Sequence, residues 1–113
     1  MNYKVISTDT LKRDLKPLLK KYRSLPYDLK KLEAELLENP EMGIDLGGNT
    51  RKVRMTITSK NKGKSGGARV ITHNVLFTIT DTIIYLITIY DKGEQDTISK
   101  EEIAKLKQEC GLL

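Results

Sequence analysis

A chain of 113 residues, 38% hydrophobic and 31% charged, has room for one domain around one modest core, and with no Trp and a single Phe that core must be aliphatic. One His and one Cys (Cys110) exclude a zinc centre and an intrachain disulfide, and no apolar run approaches the roughly 20 residues of a membrane span. The first residues, MNYKVISTDT, lack the basic-then-apolar order of a secretory leader, so the expected compartment is the cytoplasm, and a net charge of +5 points to an anionic partner.

Tyr3–Ser7 reads as a short strand. Ser7, Thr8 and Asp9 then offer oxygens to cap a helix whose apolar stripe is Leu11, Leu15, Leu18 and Tyr22. Pro17 lies inside that pattern and should kink or split the helix, because it removes a backbone donor. After Ser24-Leu25-Pro26, the repeat Leu29, Leu32, Leu36 predicts a second helix from about Tyr27 to Glu38, ended by Asn39-Pro40. The short link predicts an antiparallel helical hairpin. Met42–Thr50, with three glycines, reads as a loop, and Lys52–Ile57 as a strand in which Val53, Met55 and Ile57 alternate with Lys52, Arg54 and Thr56. Ser59–Gly67 (SKNKGKSGG) has too little apolar surface to pack and becomes an exposed connection.

Ala68–Leu76 and Thr82–Tyr90 are the next strands, the latter apolar enough to be buried on both faces. Ser99 caps a final helix with Glu101 and Glu102 in its first turn and Ile103, Leu106 and Cys110 on its apolar stripe. The predicted order, β-α-α-β-β-β-α, is that of a single α+β domain over residues 1–113, with the helical hairpin on a small, mainly antiparallel sheet.

The charge is unevenly spread. Residues 51–76 carry Arg51, Lys52, Arg54, Lys60, Lys62, Lys64 and Arg69, and no acid occurs between Asp45 and Asp81. A solvated strand face normally mixes signs, so an acid-free stretch of this length reads as an electrostatic footprint for a polyanion, nucleic acid first. Alternation places Lys52 and Arg54 on one side of their strand, with Arg51 beside them, and Arg69, Ile71 and His73 on one side of the next. These residues, with Tyr90 and Lys92 at the end of the last strand, are expected to converge on one concave basic surface. The bland alternative is a solvated strand face, a flexible SKNKGKSGG connection and a structural histidine. Gly63-Lys64-Ser65 is no phosphate-binding loop: the glycine needed five residues earlier is Thr58, and a strand follows rather than a helix.

The stretches GGNTRKVRM, KGKSGGARVI and YLITIYDKGEQDTISKEE resemble the RelE/ParE toxin superfamily, in particular its HigB-like branch. Arg51, Lys52, Arg54, Lys62, Gly63, Lys64, Gly66, Gly67, Arg69, Tyr90, Lys92 and Glu94 occupy the motif positions, and LKPLLKKYRSL and LLENP match the helical hairpin. The resemblance implies the toxin of a type II toxin–antitoxin pair, a ribosome-dependent mRNA endonuclease needing neither metal nor cofactor. By the same resemblance, Lys52 and Arg54 contact phosphate or help activate the nucleophile. Arg69 braces the scissile phosphate, and Lys92 adds a further cation. Arg51, Lys60, Lys62, Lys64 and Tyr90 bind the RNA. Where many members carry aromatics after the R-[VI]-I core, this chain has Thr72, His73 and Asn74, and Ile98 lies near the place of a late tyrosine. His73, whose ordinary pKa is near 6.5, is the candidate general acid, with Tyr90 its rival. The expected partners are mRNA on the ribosome and a separately encoded antitoxin with a helix-turn-helix. The alternatives are a gyrase inhibitor of the ParE kind and a non-catalytic RNA- or ribosome-binding protein.

Overall fold

The computed structural model describes residues 1–112. Strand β1 (Asn2–Ser7) leads into helices α1 (Asp9–Lys21) and α2 (Leu25–Glu38), followed by β2 (Ile44–Gly47), β3 (Thr50–Met55), a single 3₁₀ turn at Thr58–Lys60, β4 (Ala68–Leu76), β5 (Asp81–Asp91) and α3 (Lys100–Glu109). The sheet order is β1-β5-β4-β3-β2; β1 runs parallel to β5 and every other pair is antiparallel.

Helix α1 starts where predicted: the Thr8 hydroxyl accepts from the Leu11 amide and donates to the Leu86 carbonyl at 2.8 Å, so one side chain both caps the helix and ties it to β5. The helix runs unbroken through Pro17. The hairpin stripe of Leu11, Leu18, Leu25, Leu29, Leu32 and Leu36 packs on Val53, Met55, Ala68, Val70, Ile84, Leu86 and Ile89. Full burial of one such leucine contributes about 2 kcal/mol, so this layer holds the fold together. On the other face Ile71 and Ile87 meet Ile103, with Leu106 and Ile98 alongside, and α3 thereby covers part of the sheet. The domain is therefore α+β in three layers: hairpin, sheet, short helix.

Two features differ from the sequence reading. The glycine-rich stretch 42–50 contains a strand: β2 pairs with β3 (Ile44 with Lys52, Asp45 with Arg51) and adds an edge to the expected meander. Its residues are exposed or half-exposed, so no alternating apolar signal marked it. Between β4 and β5 the register shifts by one at Ile71/Thr72, because β5 carries Ile87 as an extra, bulged residue. The expected double burial of β5 holds, with Ile84, Leu86 and Ile89 in one core and Ile87 in the other.

Candidate nucleic-acid interface

The sheet face away from the hairpin carries the cations. Arg54 of β3 stands opposite Arg69 of β4, and Arg69 opposite Tyr90 of β5. The next rung is Lys52, Ile71 and Thr88. Directly opposed side chains have β-carbons about 5 Å apart, so Lys52, Arg54, Arg69 and Tyr90 form one contiguous group. Arg54 is exposed and Lys52 half-buried, and neither makes an ion pair among the described residues.

Arg69 is buried and is held by backbone, not by a carboxylate: its Nη1 donates to the Lys64 carbonyl (3.0 Å) and the Ala68 carbonyl (3.3 Å), its Nη2 to the Ser65 carbonyl (3.3 Å). Three carbonyl dipoles fix the guanidinium while leaving its net charge unneutralised. The basic connection, 59–67, is thereby folded back onto β4. Gly67 permits this: a β-carbon there would collide with the Met55 carbonyl oxygen and the Ile57 amide. The Gly67 carbonyl in turn accepts from the Lys92 amide at 3.0 Å.

The Tyr90 hydroxyl is buried and has no hydrogen-bond partner. Burial pushes its pKa up, against the pull of Arg69, so the phenol stays protonated. The Lys92 ammonium bonds the Asp96 carboxylate and, at 2.8 Å, the Asp96 carbonyl. The Lys92 hydrogen bond holds the Asp96 carboxyl below its usual range, and the charge of Lys52 adds to the effect.

The structure does not gather the remaining predicted residues here. Arg51 falls on the hairpin face with Val53 and lies 3.6 Å from Glu41. Lys60 is bonded at 2.7 Å to the buried Asp91, whose other oxygen accepts from the Tyr22 hydroxyl. Burial would raise the Asp91 pKa, but Lys60, Tyr22 and the Gly93 amide together hold it below the usual value. Lys64 leans 3.8 Å from Glu35 of α2, while Lys62 is exposed. His73 shares the face of Arg69, but four residues along β4 is about 13 Å. Its Nδ1 is 3.0 Å from the Thr50 hydroxyl, which also accepts from Lys107 of α3 at 3.1 Å. Burial, then Lys107, lowers the His73 pKa.

The acid-free stretch is therefore not acid-free in space: three of its seven cations, Arg51, Lys60 and Lys64, have carboxylate partners from other segments, and Asp96 stands at the rim of the cation group. The group is graded in exposure: Arg54 stands in solvent, Lys52 is half-buried, and Arg69 and Tyr90 are buried. A cavity of about 590 Å3 opens between α1 and α3 and has Tyr90 in its lining.

A three-layer fold of this topology matches the solved structure of an arginine-to-alanine double mutant of E. coli toxin RelE in the free state, with TM-score 0.60 and 18% identity over 93% of this chain and 97% of that one. That likeness establishes a RelE fold. The sequence matches the family model described as RelE toxin of RelE / RelB toxin-antitoxin system over residues 19–112. The chain belongs to the RelE toxin family. No helix among the described residues is long and apolar enough to cross a membrane.

Proposed function

We propose that this chain is a HigB-like toxin that cleaves mRNA on the ribosome without a metal ion, and that a separately encoded helix-turn-helix antitoxin restrains it. The observation that carries the reading is the alignment of Arg54, Arg69 and Tyr90 on adjacent strands, beside Lys52, with neither arginine neutralised by a carboxylate. In the reaction a ribose 2′-oxygen attacks the neighbouring phosphorus and the 5′-oxygen of the next nucleotide leaves. The products are a 2′,3′-cyclic phosphate and a 5′-hydroxyl, with the proton of the 2′-hydroxyl replaced by one on the leaving oxygen. Negative charge builds on the phosphate oxygens, and cations fixed in advance stabilise it. Arg69 is held in one orientation by the carbonyls of Lys64, Ser65 and Ala68, and its charge is left for that phosphate. Arg54 offers a second guanidinium and Lys52 a cation beside the nucleophile; the Tyr90 hydroxyl, buried and unpartnered among the described residues, becomes a donor to a phosphate or leaving oxygen once bound RNA displaces what covers it.

The test is induction of the chain in cells followed by primer extension on a resident mRNA, with the purified chain incubated with RNA in the presence and absence of translating ribosomes. Cleavage that requires ribosomes and leaves 5′-hydroxyl ends is expected. Intact mRNA during growth arrest, or arrest accompanied by loss of gyrase supercoiling, would overturn the reading.

A further inference from the structure

On the hairpin side of the sheet, beyond the end of α2, the helices no longer cover the strands. There a cavity of about 310 Å3 crosses the start of β1, the end of β4 and the start of β3; Tyr3, Pro40, Glu41, Arg51, Asn74 and Leu76 are among its lining residues. Arg51 is an unusual side chain to find in it. It is only 12% exposed, it makes no hydrogen bond among the described residues, and its one ion contact is the 3.6 Å approach of Glu41, which is itself 78% exposed. A loosely held carboxylate on so mobile a stem contributes little and is readily exchanged for another.

Next to it, Asn74 donates through Nδ2 to the Pro40 carbonyl at 3.0 Å, while its Oδ1 is buried with no partner. Of the three buried unpartnered side-chain oxygens among the described residues, two, on Thr72 and Asn74, occupy successive hairpin-face positions of β4, and Thr72 is in register with Arg51. Unmet acceptors make this end of β4 costly to bury and mark it as less completely packed than the rest of the sheet. One side of the rim is apolar: Met1 and Leu76 are 70% and 65% exposed, and the neighbouring turn, outside the cavity, adds Phe77 and Ile79 at 61% and 88%.

We infer that this cavity is the docking site for an acidic residue of the antitoxin, carried on an extended apolar segment. Its carboxylate displaces Glu41 and forms a paired contact with the Arg51 guanidinium. The segment's apolar side chains cover Leu76, Phe77 and Ile79. Charge and shape select a polypeptide over RNA. The cation is single and Glu41 stands beside it, so little net positive charge faces a phosphate backbone, while the exposed Leu76, Phe77 and Ile79 on one side suit apolar side chains. The site also lies on the opposite side of the sheet from Lys52, Arg54 and Arg69, so an antitoxin seated here holds on without competing for those cations. The inference rests only on the antitoxin part of the function proposed above and is indifferent to whether the toxin cuts RNA.

The experiment uses the polypeptide encoded beside this chain that rescues cells from it. Its affinity is measured for the full-length toxin, for Arg51→Gln and for Glu41→Gln, together with the growth arrest each toxin causes alone. Arg51→Gln is expected to weaken binding at least tenfold with arrest unchanged. Glu41→Gln, at an exposed position that leaves folding intact, should tighten binding severalfold by removing the competing carboxylate. Affinities within twofold of wild type for both variants overturn the site. So does loss of arrest in a folded Arg51→Gln toxin that still binds antitoxin, which would mark Arg51 as an RNA contact. A wild-type dimer that Arg51→Gln converts to monomer overturns it in favour of a second copy. If Arg51→Gln does not fold, the Glu41→Gln affinity decides alone. Failure of the wild-type toxin to bind any neighbouring polypeptide instead removes the antitoxin proposal itself.

Discussion

Arg54 and Arg69 face each other directly across β3 and β4, two guanidinium groups in register with no carboxylate between them. Like charges at opposed positions of a sheet destabilise it by a few tenths to 1 kcal/mol. The arrangement works against folding and is useful only when an anion arrives. Replacing Arg54 with Gln is therefore expected to raise stability by about 0.5 kcal/mol, seen as a small increase in melting temperature, while abolishing growth arrest. A variant that melts earlier, or that keeps its toxicity, contradicts the assignment.

Removal of Arg69 acts on two levels. The Arg69→Ala variant loses the cation proposed to brace the phosphate and also the three bonds to the carbonyls of Lys64, Ser65 and Ala68. Bonds from a charged donor are worth more than neutral ones, and the combined cost is about 2–3 kcal/mol. Growth arrest should vanish, and limited proteolysis should open the chain first within residues 59–67. Retained toxicity refutes the bracing role.

At Tyr90 the two levels separate cleanly. Its hydroxyl makes no hydrogen bond, so Tyr90→Phe has none to lose. Stability should stay the same or rise by about 1 kcal/mol as an unsatisfied buried group disappears. RNA cleavage should fall by one to two orders of magnitude. Unchanged cleavage would reduce Tyr90 to a packing residue.

Lys60, read from sequence as an RNA ligand, is paired with the buried Asp91. Lys60→Met leaves Asp91 buried without its cation, and breaking such a pair costs about 3 kcal/mol or more. Asp91 has a lowered pKa when folded, so its stabilising contribution is complete above the unfolded value of about 3.9 and is lost as pH falls through the lower folded value. The melting-temperature gap between wild type and Asp91→Asn should be full at neutral pH and should close only below about pH 4.

His73 gives the same sign in a different window. Its folded pKa lies below the ordinary 6.5, so the neutral ring is favoured and the unfolded chain takes up its proton first. Wild-type stability should decline as pH drops below about 6.5, and His73→Gln should flatten that part of the curve. A wild-type curve level between pH 7.5 and 5.5 would show that burial and Lys107 do not act on His73 as the structure implies.

The helices, the meander and the cation pairing on β3 were legible because period and alternation encode them directly. Strand β2 was not, since Ile44–Gly47 lies at an exposed edge where burial imposes no pattern. Alternation correctly put Lys52 with Arg54 and Arg69 with His73. Facing is not proximity, however, and Ile71, packed under Ile103, separates His73 from Arg69. Arg51 was grouped with its neighbours by sequence adjacency, although adjacent strand residues point to opposite faces. The pairing of Lys60 with Asp91, and the arrival of Asp96 beside Lys92, are contacts between distant segments that no local pattern carries.

Ile87 is the one surplus residue of β5, and because the strand bulges there the pairs on either side stay in step, Thr72 with Leu86 and Arg69 with Tyr90. Were the same strand to pair regularly from Leu86 onward, every later residue would slip by one: Ile89 would stand opposite Arg69, and the Tyr90 phenol would turn toward the leucines of the hairpin. The bulge thus aligns the phenol with the guanidinium while letting Ile87 pack beside Ile71 and Ile103. Deleting Ile87 would straighten the strand and keep Arg69 opposite Tyr90, so its cost should fall on the packing beneath α3 and leave that pair in place.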